Sequence, residues 1–309
     1  MKLSIITINY NDAIGLKRTL DSVVSQTPCD CEVEHVIIDG GSTDNSVDVI
    51  KQYPHVSKWG SEKDKGVYNA MNKGIKMATG DYIQILNSGD ILAAPDVLSR
   101  MFNFVHSNIQ DQKNNSLNLE SKSNSHIRTF GIEENSLNSL ILEGYPDLLY
   151  GNMIRQRADG TIEGKSRQVP YSLLNYFTST MNHDCCWMKR SLFEEYGLYD
   201  ENLKIVSDWK WFLQAIGLGH VKPVYVDIDM TIFDTTGISE RNLALRNEER
   251  RKVLEEVLPP AVLADYDKHA FDMHQMDNLR KHPWAYKLVW TLERILNRLD
   301  NRNFKKPKK

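Results

Sequence analysis

Residues 61–90 read SEKDKGVYNAMNKGIKMATGDYIQILNSGD. Val67, Met71, Ile75 and Ala78 recur at helical spacing, which predicts a helix over 66–79 that Gly80 ends. DYIQIL at 81–86 is a short apolar run of the kind buried on both faces of a parallel sheet, and Asn87-Ser88-Gly89-Asp90 is a polar turn after it. The same alternation extends upstream. Leu3–Ile8 predicts a buried strand, and Leu16, Leu20, Val23 and Val24 a helix closed by Pro28. VEHVIID at 33–39 is a second strand, Gly40-Gly41 a turn, and Ser42, Thr43 and Asp44 offer caps for a helix through Ile50. Val56–Ser61 is a weaker third strand. Repeated strand–helix–strand units imply an α/β fold with parallel strands. Polar residues collect at the C-terminal strand ends, at Asn9, Asp39, Glu62 and Asn87 to Asp90, the edge where such sheets bind ligands.

The chain has 309 residues with 41% hydrophobic and 26% charged side chains, enough to bury a core without a disulfide or metal. No run of about 18 apolar residues occurs, so a transmembrane helix is not expected. The opening MKLSIITINYND turns polar too early for a cleavable signal peptide, which predicts a cytoplasmic location. Cys29/Cys31 and Cys185/Cys186 suit neither a zinc site nor a C-x-x-C redox motif and are expected to be buried and reduced. The net charge is -3, but residues 277–309 carry +7 and leave -10 on the body. An acidic body excludes broad phosphate-backbone binding, so no nucleic-acid partner is expected. Residues 107–126 are polar without apolar periodicity and predict a mobile insertion.

TINYN at 7–11, IIDGGSTDNS at 37–46 and the 61–90 stretch, in that order and spacing, resemble glycosyltransferase family 2, which has the GT-A fold. NHDCCWMKRSLFEEYGLYDE at 182–201 and KIVSDWKWFL at 204–213 are also family-like. The resemblance covers about 1–110 and 145–240. It implies a catalytic domain over 1–240 with a Rossmann-like, mostly parallel sheet flanked by helices, and leaves 241–309 as a helical C-terminal extension. It further implies an inverting transfer from a nucleotide-sugar donor to a glycan or lipid-linked acceptor in bacterial surface polysaccharide assembly.

Such a donor has a diphosphate whose charge must be neutralised as the sugar leaves, a task for Mg²⁺ or Mn²⁺ held by a carboxylate. Asp90 is the metal candidate. The family more often shows D-x-D-D where this chain has Asn87-Ser88-Gly89-Asp90, so the donor diphosphate would supply much of the hold. The resemblance assigns Asp39 to the nucleotide base, which favours UDP, and places Thr7, Asn9 and Tyr10 beside base and ribose. Asp64, Asn72, Lys73, Asn87 and His183 complete the donor candidates. Asn69 stands where the family usually has Asp. Inversion needs a carboxylate that takes the acceptor proton, and Asp208 matches that position. Asp200 fits a structural turn, Trp209 and Trp211 fit the core better than an acceptor stack, and Gly237-Ile238-Ser239 resembles an acceptor-side loop.

Trp284, Ala285, Leu288, Val289, Leu292, Ile295, Leu296 and Leu299 form one apolar face of a helix about 16 residues long, with Lys287, Arg294 and Arg298 off that face. Two readings stay open for residues 277–309: a protein contact, including a homo-oligomer, or a peripheral seat on the inner face of the membrane. Two other functions compete. A sugar nucleotidyltransferase needs a Gly-rich basic loop after the first strand, and Asn9–Gly15 is neither; a dinucleotide oxidoreductase needs G-x-G-x-x-G there. A catalytically weak nucleotide-sugar-binding subunit is the remaining alternative, given Asn69, Asn87 and Gly89 in place of acids.

Overall fold

The computed structural model describes residues 1–29, 31–107, 145–157, 159–166, 172–235 and 242–304. The 108–126 part of the expected insertion, Gly237-Ile238-Ser239 and the Lys305–Lys309 tail lie outside them. Two compact units divide at Val253/Leu254, inside a helix and past the 240/241 boundary expected from the sequence.

The first unit begins β1 (Lys2–Asn9), α1 (Ala13–Val24), β2 (Glu32–Asp39), α2 (Ser46–Lys51), β3 (Val56–Ser61), α3 (Val67–Met77) and β4 (Tyr82–Ile85). After β5 (Ile91–Leu92) and α4 (97–107) come β6 (Leu148–Gln156), β7 (Ile162–Ser166), α5 (Leu173–Thr178) and a 3₁₀ turn at His183–Cys185. Then follow β8 (Cys186–Lys189), α6 (Ser191–Glu195), α7 (Ser207–Phe212), β9 (Pro223–Asp234) and α8 (Leu243–Val257). The sheet runs β3-β2-β1-β4-β8-β6-β9-β5, with β7 beside β6. Its first four strands are mutually parallel, as the alternating units predict, and β8 enters antiparallel between β4 and β6. β8 and the turn before it thereby carry the second half of the chain onto the end of β4.

β1 is buried on both faces, with Leu3, Ile5 and Ile6 inaccessible. One face packs Tyr82, Leu86, Phe102, Met153 and Trp187, and the other packs Leu16, Leu20, Ile37 and Ile50 under α1 and α2. α3 lies so close to β1 that a Cβ at Gly74 would collide with Ile6 Cγ2. Its buried face is Tyr68, Met71 and Ile75; Val67, expected in the apolar stripe, is exposed because Tyr68 takes the inward position. Trp209 and Trp211 are core residues, each donating its indole N–H to backbone carbonyls. Cys185 and Cys186 are buried thiols, as expected. Cys29 and Cys31 correct the expectation of four reduced cysteines: they are half-buried and joined by a disulfide, with Cα atoms 5.2 Å apart in the turn before β2.

The second unit continues α8 into α9 (Pro260–Arg280) and α10 (Pro283–Phe304). α10 has 22 residues, longer than the apolar face alone predicts, and Trp284, Leu288, Leu292, Leu296 and Leu299 are exposed along it.

The N-terminal edge of the sheet is stapled by a buried carboxylate. Glu34 accepts from Ser4 Oγ (2.6 Å), Thr79 N (2.8 Å) and Thr79 Oγ1 (3.0 Å), and Lys58 Nζ sits 2.7 Å away. Burial opposes its ionisation, but Lys58 and these donors outweigh it and hold the carboxyl down at about 2. A depressed pKa stabilises the fold above the unfolded value of 4.5, and that contribution disappears as pH falls from 4.5 towards 2. In acid-unfolding curves Glu34→Gln should lose this pH dependence and be about 1.5–3 kcal/mol less stable at pH 7; matching curves would disprove the staple.

Candidate active site

β1, β2 and β4 end side by side, and a cleft of about 580 Å³ opens over that edge. Asn9, Tyr10, Asp64, Asn87, Asp90, His183 and Asp208 line it, so seven of the predicted residues come together from segments 200 positions apart. Tyr10 is 66% exposed at the rim. Asn9 donates to Asp39 Oδ1 (2.7 Å) and accepts from Ser88 Oγ (2.8 Å), tying the β1 end to the 87–90 turn. Gly89 has φ +96°, a conformation that disfavours any side chain, so the Gly in place of an acid there has a backbone reason.

Four predicted donor contacts stand elsewhere. Thr7 is fully buried, with Oγ1 2.9 Å from His35 Nε2. Asp39 lies beneath the cleft with no exposed surface; Asn9, Ser42 and Ser61 and the Ser42 N–H occupy both of its oxygens. Its place is that of a buried post holding three loops, because four donors satisfy a buried carboxylate. Asn72 bridges α3 to the 199–201 segment, donating to Tyr199 O and Glu201 Oε1 and accepting from Tyr199 N. Lys73 pairs with Glu62 at 2.7 Å, outside the cleft lining.

Asp208 begins α7, where its carboxylate faces two partners. Tyr68 O–H lies 2.8 Å from Oδ1, and His183 Nδ1 lies 2.9 Å from Oδ2. Burial opposes ionisation of Asp208, but the His183 hydrogen bond and charge, with Tyr68, hold it below the usual carboxylate range. Tyr68 itself is pushed well above its ordinary value, chiefly by burial and then by the Asp208 charge, so it stays a hydroxyl donor. Asp200, read as structural, pairs with Lys210 at 3.0 Å on the same helix.

His183 carries the positive charge of this cluster. Burial alone would lower its pKa, yet Asp208, then Asp184 and Asp90, raise it to about 9. Asn87 Nδ2 lies 3.2 Å from His183 Nε2, while Asn87 Oδ1 is buried with no hydrogen-bond partner among the described residues. Asp90 is buried and its carboxyl is pushed well up by that burial and by the Asp184 charge, against the Asp234 N–H at 3.0 Å and His183. Asp184 is likewise raised by burial, with Thr231 Oγ1 donating at 2.6 Å.

A pair of buried carboxylates with hard oxygen atoms, one of them facing a cleft that can take a diphosphate, fits a divalent cation. Among the described residues no group of three His, Cys, Asp or Glu is arranged to hold one unaided, so a cation there would need further oxygen ligands. Sequence reasoning missed Tyr68 and Asp184 as members of this cluster. Tyr68 stands beside the expected apolar stripe, and Asp184 follows His183 directly, a position that only the buried 3₁₀ turn explains.

A cleft at the end of a parallel sheet, lined by a carboxylate paired with His183 and by the buried Asp90, suits a nucleotide-sugar-dependent glycosyltransferase. Residues 4–112 match the model of glycosyl transferase family 2. It is 29% identical over 240 residues to an uncharacterized glycosyltransferase of Mycobacterium tuberculosis, 76% of each chain. It is 26% identical over 238 residues to a PGL/p-HBAD biosynthesis glycosyltransferase of Mycobacterium bovis, 76% of this chain and 77% of that one. Its fold is similar to S. aureus TarS 1–349 in complex with UDP-GlcNAc, with TM-score 0.55 at 16% identity, over 82% of this chain and 64% of that one. The chain spans 41% of a longer TarS chain. The GT-A expectation is met, and no described helix is long and apolar enough to cross a membrane.

Because the raised pKa of His183 belongs to the folded state, its stabilisation is complete below 6.5 and fades as pH climbs towards 9. Wild-type stability should therefore fall across that window, and His183→Gln should show a flatter profile in denaturant titrations. An unchanged slope in the variant would show that His183 is neutral.

Proposed function

We propose that this chain transfers a sugar, with inversion, from a nucleotide-sugar donor to a hydroxyl on a glycan or lipid-linked acceptor in bacterial surface glycoconjugate assembly. The observation that carries this reading is Asp208. It lines the donor cleft and a second cavity behind it, ionised and fixed by His183 and Tyr68. A carboxylate so placed takes the acceptor hydroxyl proton as the oxygen attacks the anomeric carbon from the face opposite the departing diphosphate. His183 holds the carboxylate in position and offsets its charge, while Tyr68 keeps the other oxygen oriented. A Mg²⁺ or Mn²⁺ ion held by Asp90 and the donor phosphates would neutralise the leaving diphosphate.

Tyr10 at the rim and Asn9 and Asp64 in the wall are the donor-binding residues of this reading. Burial of Asp39 removes the residue-level ground for UDP, which rests instead on the UDP-GlcNAc complex of TarS. The glycolipid-type acceptor rests on the PGL/p-HBAD relative.

Asp208→Asn should bind UDP with Mg²⁺ as the wild type does, yet lose transfer by at least about 100-fold. In a thermal-shift panel of UDP, GDP, dTDP and CMP, one nucleotide should stabilise the wild type in a metal-dependent way, by about 2.7 kcal/mol at 100 times its dissociation constant. Asp90→Ala should lose the metal dependence. Full transfer by Asp208→Asn, or no response to any nucleotide, would refute the proposal.

The exposed row on α10 gives a lipid-linked acceptor a matching address. Trp284, Leu288, Leu292 and Leu296 are 51–72% exposed, and Lys287, Arg294 and Arg298 are exposed beside them. An aromatic, basic amphipathic helix of this kind lies in an anionic membrane interface. The full chain should float with phosphatidylglycerol vesicles and Leu288→Glu/Leu296→Glu should not. A wild type that stays down but is dimeric, with a monomeric variant, would assign the same face to a second copy of the chain.

A further inference from the structure

Behind Asp208 lies a second cavity of about 300 Å³, lined by His183, Asp184 and Asp208 together with Arg155, Arg246 and Arg250. Arg246 and Arg250 stand one turn apart on α8, and the Glu249 carboxylate between them accepts from Lys204 N (2.8 Å) and Ile205 N (2.9 Å). That contact fixes the helix against the loop leading into α7, so the two guanidinium groups are held at the cavity. Arg250 Cζ lies over the Trp209 ring, 5.0 Å from its centroid. Arg155, also in the lining, sits over Phe233 at 6.0 Å and reaches Glu163 at 3.5 Å.

Two guanidinium groups in one half-buried cavity repel each other, and both are poorly solvated. Burial and the Arg246 charge together lower the proton affinity of Arg250. The Nε atoms of Arg246 and Arg250 are buried with no hydrogen-bond partner among the described residues. Asp208, a carboxylate lining the same cavity, is already engaged by His183 and Tyr68. Unsatisfied guanidinium N–H groups at a cavity are costly alone and become favourable when an oxyanion accepts them in a fork.

We infer that this cavity is the acceptor subsite and that Arg246 and Arg250 bind a phosphate or carboxylate on the acceptor, close to the hydroxyl that Asp208 deprotonates. The inference rests on Asp208 as the base and adds the substrate class: the acceptor is an anionic sugar or sugar phosphate. It also accounts for two arginines on an otherwise acidic body at this place. Neutralising the acceptor anion lets it approach a wall that already carries Asp184 and Asp208.

The test is ligand-observed NMR at constant ionic strength on the full chain with UDP and Mg²⁺ at saturation, titrated with glucose 6-phosphate, glucuronate and glucose. At least one anionic sugar should bind ten times or more tightly than glucose. Preference for glucose 6-phosphate identifies a phosphate, and preference for glucuronate a carboxylate. Arg246→Gln/Arg250→Gln should erase the preference while its UDP affinity stays within twofold of the wild type. Arg250→Lys, which keeps the charge without the fork and guards against a misfolded double variant, should retain part of it. Equal binding of glucose, or a preference untouched in the double variant, overturns the subsite. Failure of UDP to bind the wild type would instead count against the donor cleft and is read separately.

Discussion

Three carboxylates and one imidazole meet at the sheet edge, and everything around them follows from that imbalance. Asp90, Asp184 and Asp208 cannot all ionise in a buried setting without a counter-charge. His183 supplies one and spends it mainly on Asp208, its hydrogen-bonded partner, which stays ionised while the other two are pushed up. The cluster is thus divided into an ionised carboxylate on one side and acids short of positive charge on the other.

This division depends on how two halves of the chain are joined. His183 comes from the 3₁₀ turn before β8, Asp208 from the start of α7, and Tyr68 from α3 in the first half. The antiparallel entry of β8 beside β4 brings the turn to the 87–90 loop. Asn69 and Asn72 on α3 both donate to Glu201, and Tyr199 is locked in reciprocal bonds with Asn72. These contacts clamp the chain just ahead of α7 and so set where Asp208 stands. Asn69, in the position where the family usually has Asp, holds the segment that leads to Asp208 by donating to Glu201.

The two edges of the parallel sheet use the same device for different ends. At the N-terminal edge Glu34 is surrounded by donors and a lysine, and at the C-terminal edge Asp39 is surrounded by donors alone. Both carboxylates are consumed in holding strands and loops together. Asp90 and Asp184, by contrast, are raised by burial against fewer opposing contacts.

Much of this was legible in the residues. Alternating apolar runs and helical stripes specify the parallel strands, since a strand buried on both faces and an amphipathic crossover helix leave few other arrangements. Motif order located Asn9, Tyr10, Asp64, Asn87, Asp90, His183 and Asp208, because residues at strand ends and helix starts must face the same edge. What the one-dimensional pattern could not decide was how far each polar side chain stands from solvent. Thr7 and Asp39 sit in site-like motifs but point below the cleft, and Asn72 turns to a segment 127 positions away. Tyr68 and Val67 exchange roles on a helix whose Gly74 packs against Ile6. Long-range neighbours also create the second cavity, since Arg246 and Arg250 meet Asp208 only after α8 docks through Glu249. Periodicity reports which face of an element is apolar; whether a polar group on it is a ligand, a post or a clamp depends on partners that only the folded chain brings within hydrogen-bond distance.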